Sequence, residues 1–175
     1  KIGSSTEVGE MYESMFLREE AKKKIDSKAE GEEFIDLKSV EVYQGGRKLN
    51  EVRAFKDIEV RLELTSAIEL DKANIGINIK NHDKDVLVMT DTFVNIDLVK
   101  LEKKKTYIVN FKINNTLTNG LYTINVGVAD CTDSVKAAKV LFRKEVASLL
   151  SASIDSTGFA GVQSNFTLAV LVKKI

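Results

Sequence analysis

The chain has 175 residues, 26 of them basic and 26 acidic, so its formal net charge is zero and no basic block points to a nucleic-acid partner. That length suits one domain with a core of its own. A single cysteine, Cys131, excludes an intramolecular disulfide and fits a reducing compartment, no apolar run is long enough to span a bilayer, and no signal peptide opens the chain.

Residues 4–24 read as a helix. Ser4-Ser5-Thr6-Glu7 forms a plausible capping box. Val8, Met11, Tyr12 and Met15 make one apolar stripe at helical spacing, and Glu19 and Glu20 precede Lys23 and Lys24 by four residues. Residues 26–33 are polar, carry Gly31 and read as a linker. The first residue is Lys rather than Met, which predicts a fragment of something longer.

From Phe34 the period changes from 3.6 to 2. Leu37, Val40 and Val42 mark the first strand, with Gln44-Gly45-Gly46-Arg47 as its turn. Ile58, Val60, Leu62 and Leu64 alternate with polar residues, as half-buried strands do. Ile75, Ile77 and Ile79 alternate with Gly76, Asn78 and Lys80. A polar turn at 81–85 precedes Val86–Thr92, and Lys103-Lys104-Lys105 reads as a solvated turn. Tyr107, Val109, Phe111 and Ile113 form another strand. Asn119-Gly120 signals a turn, followed by Tyr122, Ile124, Val126 and Val128 in alternation with Thr123, Asn125 and Gly127. Residues 138–146 form a strand, 148–165 read as a Ser/Ala/Gly-rich loop, and Phe166–Val172 is almost continuously apolar, as suits a strand covered on both faces. With no proline in the chain, every break falls to Gly, Asn, Asp and Ser. Short-turned strands with no helices between them predict an all-β antiparallel sandwich of immunoglobulin-like or jelly-roll type, preceded by the N-terminal helix.

Most chemistries lack their residues. There is no phosphate-binding glycine loop. A zinc site has no ligand set, because His82 is the only histidine and Cys131 the only cysteine. His82 reads as a solvated loop residue and Cys131 as a small buried one. Asp83 and Asp85 lack the spacing of a calcium loop and are explained by turn chemistry. Asn114-Asn115-Thr116 and Asn165-Phe166-Thr167 match glycosylation sequons, which carry no weight in a chain read as cytoplasmic. No catalytic residue, metal or cofactor is expected.

The ordered set of strand motifs resembles the C-terminal domain of the Wzt family, the ATP-binding subunits of ABC exporters for O-antigen polysaccharides. The likeness rests on Val42-Tyr43-Gln44-Gly45-Gly46-Arg47 with Phe55-Lys56-Asp57-Ile58-Glu59-Val60, on Asn74–Lys80 with the Asp83/Asp85 turn and Thr90–Thr92, on Leu117–Val126, and on Phe142–Val146. Glu7–Tyr12 is similar to the end of the family's ATPase domain. Lys56 stands where the family commonly has glycine, the tail from Ser148 is longer than usual, and the chain has no Trp, the commonest sugar-stacking residue.

The resemblance implies residues 1–33 as a linker helix following an ATPase domain, and 34–175 as a sandwich that binds the exported polysaccharide and couples recognition to export. It also implies a homodimer, contact with a membrane permease through the full-length subunit, and a cytoplasmic location peripheral to the inner membrane. A structural or dimerisation domain without a ligand is the alternative. The strand phases place Gly76, Asn78, Thr123, Asn125 and Gly127 on one outward face, which is the expected glycan site: two glycines leave a trough, and Asn and Thr offer donors and acceptors to hydroxyls. Phe166–Val172 is expected to pair with a sheet of a second copy, the Ser/Gly-rich segment before it giving the reach. The helix of residues 4–24 is expected to lie outside the sandwich core, its stripe covered by another domain or copy.

Overall fold

A computed structural model of the chain describes residues 30–81, 83, 85–115, 117–152 and 167–175. The expected helix at 4–24, His82 and parts of both sequons lie outside these residues. Eleven strands run in chain order: β1 Ile35–Gln44, β2 Arg47–Lys48, β3 Glu51–Arg53, β4 Ile58–Ser66, β5 Leu70–Lys80, β6 Val86–Asp91, β7 Val99–Leu101, β8 Thr106–Ile113, β9 Gly120–Asp130, β10 Lys139–Ala152 and β11 Thr167–Lys174. One short helix, α1 (Thr92–Asn95), interrupts them, together with a 3-10 turn at Val135–Ala137.

The strands form two sheets. The first has the order β11-β8-β4-β1-β2 and the second β3-β10-β9-β5-β6, with β7 also pairing with β5. All pairings are antiparallel except β3 with β10, which is parallel. The core lies between the sheets and follows from alternation. In the first sheet, Val60 faces Phe111 and Leu62 faces Val109 across β4 and β8. In the second, Ile75 faces Val128, Ile77 faces Val126 and Ile79 faces Ile124 across β5 and β9. All ten of these side chains are buried, and inward β-branched pairs at this spacing are what stabilise a sheet.

Local chemistry closes the ends. The Tyr122 hydroxyl donates to the Thr118 carbonyl at 3.0 Å, and Glu102 N–H donates to the Tyr107 hydroxyl at 2.8 Å. Gln44 clasps the turn after β3, accepting from Arg53 N and donating to the carbonyls of Arg53 and Lys56. Asn81 accepts from Asp85 N and donates to its carboxylate, so the Asp83/Asp85 loop is held by turn chemistry. Lys103 and Lys104 form an exposed turn, and Cys131 is buried. The described chain enters at Glu30, which exchanges two backbone hydrogen bonds with Arg143 on β10.

Three expectations need correction, and three short strands add to the expected set. β10 continues to Ala152, so residues 148–152 of the expected loop are strand. Leu149 and Leu150 are buried there, and buried Ser151 donates to the Leu117 carbonyl, so Ser148 and Ser151 sit within a strand. The expected strand Val86–Thr92 ends at Asp91, whose carboxylate caps α1 by accepting from Val94 N. The short strands β2, β3 and β7 were too brief to show a period. β11 is covered on one face only, with Val170 buried and Leu171 62% exposed. Within the chain β11 lies at the edge of the first sheet, antiparallel to β8.

Candidate functional site

β5 and β9 are adjacent, and their register brings four of the five expected residues together. Gly76 lies opposite Gly127, and Asn78 opposite Asn125. All four line a trough of about 440 Å³ on the outer face of the second sheet. Thr123 shares that face but pairs with Lys80 and Ser148 and is not among the residues lining the trough. Asn125, expected to stand exposed, is only 8% exposed. It sits in the middle strand of the row Glu145–Asn125–Asn78–Met89, and its longer neighbours shade it.

The two glycines have different reasons. A Cβ on Gly76 would stand 3.1 Å from Asp91 Cβ and 3.2 Å from the Thr90 carbonyl oxygen, so β6 approaches closely there and would have to give way by a few tenths of an ångström to any side chain. A Cβ on Gly127 would meet nothing nearer than the Phe142 carbonyl oxygen at 3.8 Å. Packing therefore tolerates a side chain at Gly127, and its absence keeps the trough open.

Beside this floor stand the two asparagines. Asn78 Oδ1 and Asn125 Nδ2 are buried and have no hydrogen-bond partner in the protein. A buried polar atom without a partner costs about 1–3 kcal/mol, so a group that satisfies it gains that amount. One atom accepts and the other donates, as a ligand hydroxyl does in reverse. The walls are aliphatic: Met89 on β6 is 78% exposed and Val140 on β10 is 52% exposed.

One end of the trough is rigid. Asn74 Oδ1 accepts from the Thr92 hydroxyl and from Phe93 N, both at 3.1 Å, while the Thr92 hydroxyl accepts from Ile75 N. Asn95 Nδ2 donates to the Thr90 hydroxyl at 2.9 Å and to the Asp91 carbonyl at 2.7 Å. Reading strand phases one at a time missed Met89, Val140 and Arg143, because it does not reveal which strands flank β5 and β9, and it left out Lys80 although that residue shares the outward phase of Gly76 and Asn78 on β5. The available signal was Met89, an apolar residue on the outward phase between Val88 and Thr90.

Among the described residues no group of three or more His, Cys, Asp or Glu could hold a metal ion, and no helix is long and apolar enough to cross a membrane. Burial pushes the Cys131 thiol up, with the Asp130 and Asp91 charges adding to it, which keeps it protonated and unreactive.

Residues 26–163 match the family described as the Wzt C-terminal domain. The crystal structure of the C-terminal domain of Wzt is similar to this chain with a TM-score of 0.69 at 17% identity, over 82% of this chain and 89% of that one. A CARDB domain from Pyrococcus furiosus matches in two structures, one in complex with di-metal ions, with TM-scores of 0.41 and 0.39. Identities are 19% and 18%, over 69% and 68% of this chain and 90% and 96% of theirs. No curated protein matches.

Proposed function

Because the chain belongs to the Wzt C-terminal domain family, we propose that its trough binds an exported polysaccharide of O-antigen type and couples that recognition to ABC-transporter export. The observation that carries this reading is the pair Asn78 Oδ1 and Asn125 Nδ2: one acceptor and one donor, buried and unpartnered, in register beside a two-glycine floor. Sugars are recognised by such paired hydroxyl contacts, and the exposed thioether of Met89 and isopropyl group of Val140 supply the apolar contact that an aromatic ring would otherwise give. The domain acts as a binding module rather than an enzyme. Its polypeptide context is a full-length subunit that works in pairs with a membrane permease, on the cytoplasmic side of the inner membrane.

Titration of the chain with O-antigen polysaccharide from its own source tests the reading. Saturable binding is expected, with none to an unrelated neutral polysaccharide and no release of reducing sugar. Binding to both alike, or to neither, overturns it.

A second reading, a dimerisation domain, draws on a different observation. Met89, Phe93, Val94 and Ile96 form an exposed apolar stretch along β6 and α1. The proposed homodimer by exchange of β11 draws instead on the edge position of that strand.

A further inference from the structure

Across the second sheet a single row of residues runs Arg143–Gly127–Gly76–Asp91, from β10 through β9 and β5 to β6. The row spans three strand spacings, about 14 Å. Arg143 and Lys80 both line the trough, and among the described residues neither forms an ion pair. Of the carboxylates nearby, Glu30 is bridged to Arg143 through its backbone and lies outside the lining of the trough. Asp91 accepts from Val94 N at the start of α1, and Glu145, next outward residue after Arg143 on β10, has a partner of its own. The Asn74 carbonyl oxygen already accepts twice.

An inventory of what is left is lopsided. The uncommitted donors are the guanidinium of Arg143, the ammonium of Lys80 and Asn125 Nδ2. Against these stand Asn78 Oδ1 and what the Asp91 carboxylate retains beyond its bond to Val94 N, so the two cationic groups of the lining face a single carboxylate. A ligand that satisfies such a surface must accept more hydrogen bonds than it donates, and an anionic oxygen does so most strongly. Gly127, directly opposite Arg143, carries no side chain that could block the guanidinium from the floor.

We propose that the trough selects a sugar bearing an anionic group, a carboxylate or a phosphate, and that Arg143 is the residue that determines this specificity. The inference rests on the trough being the sugar site. Arg143 grips the anion through its planar fork, and the two asparagines hold the hydroxyls of the same residue.

The test is a titration of the full chain with glucuronate and with glucose, followed by NMR through the side-chain amide signals of Asn78 and Asn125. Glucuronate is expected to bind about tenfold more tightly, as one charge-assisted contact provides. In Arg143→Met, which keeps the length of the stem, the preference is expected to fall to within about twofold, with partial recovery in Arg143→Lys. Lys112→Met, on the outer face of the first sheet, is expected to leave the preference unchanged. Equal binding of both sugars at the trough overturns this proposal alone. So does a preference that survives Arg143→Met in a variant that melts like the parent, or one that Lys112→Met reduces equally. If neither sugar moves the Asn78 or Asn125 signals, the trough is not the sugar site and both readings fall.

Discussion

Asn78 on β5 stands directly opposite Asn125 on β9, and each keeps a buried amide atom that no protein group satisfies. Buried polar side-chain atoms ordinarily find partners, and among the described residues these two share the exception with Asn110 Oδ1 on β8. By strand propensity alone, this outer face would be better served by two threonines or valines at these positions.

Truncating either asparagine should therefore separate binding from stability. Asn78→Ala and Asn125→Ala are each expected to weaken polysaccharide binding by about 1–3 kcal/mol. The melting temperature should stay level or rise, since an unsatisfied atom is removed. Calorimetric titration beside thermal melts checks both halves; unchanged affinity in two well-folded variants moves the site elsewhere.

The glycines of the floor should respond in opposite ways. Gly127→Ala has room for its Cβ and is expected to stabilise the fold by about 0.5 kcal/mol, because a strand glycine loses more freedom on folding. The same methyl group intrudes on the ligand, so binding falls. Gly76→Ala forces its Cβ against Asp91 and Thr90 and should cost about 1 kcal/mol or more. Urea denaturation of the two variants compares them directly.

At the entry to the sandwich, Gly31 has φ +82°, and a Cβ there would lie 1.7 Å from the Leu141 carbonyl oxygen. Gly31→Ala is expected to destabilise by at least about 2 kcal/mol, through strain and through loss of the Glu30–Arg143 bridge. Hydrogen exchange should show the amide of Arg143 losing protection; a variant as stable as the parent would contradict the assigned backbone geometry.

β11 is fastened at its end by the Lys174–Glu102 ion pair at 2.6 Å. That hydrogen bond holds the Glu102 carboxyl below its ordinary value. A depressed folded value means that the contribution is complete above the ordinary value and is lost as pH falls through the folded one. Exchange protection along β11 should therefore drop on acidification below about pH 4, and Glu102→Gln should show the looser strand already at neutral pH. Protection that is independent of pH in both proteins would mean the pair contributes nothing.

Exchange of β11 between copies predicts a dimer at high micromolar concentration. Removing the chain after Ala152, beyond the buried Leu149 and Leu150, should yield a monomer that keeps the second sheet. Sedimentation of the two proteins decides it, and a monomeric parent rules the exchange out.

Alternation made the long strands legible in the sequence. β4, β5, β8 and β9 each keep a strict inward phase, which placed Gly76, Asn78, Asn125 and Gly127 on one face before any neighbour was known. The flanking strands were not legible in that way. β10 has register shifts at Val140/Phe142 and at Glu145/Ala147, so its period drifts and its serine-rich end looks like a loop. Phase also says nothing of shading, which is why Asn125 was expected in the open, and nothing of strand order, which is what brings Arg143, Val140 and Met89 to the same trough.

The bridge between Glu30 and Arg143 has a mechanical meaning. Its two backbone hydrogen bonds, each 3.0 Å long, tie Glu30 to β10 near the start of that strand, so tension applied at Glu30 would reach β10 there first. Arg143, the residue that takes that load, also forms part of the trough wall. The lead-in to the sandwich and the wall of the trough therefore share one residue of β10, and a change at either is expected to be read at the Arg143 amide by hydrogen exchange.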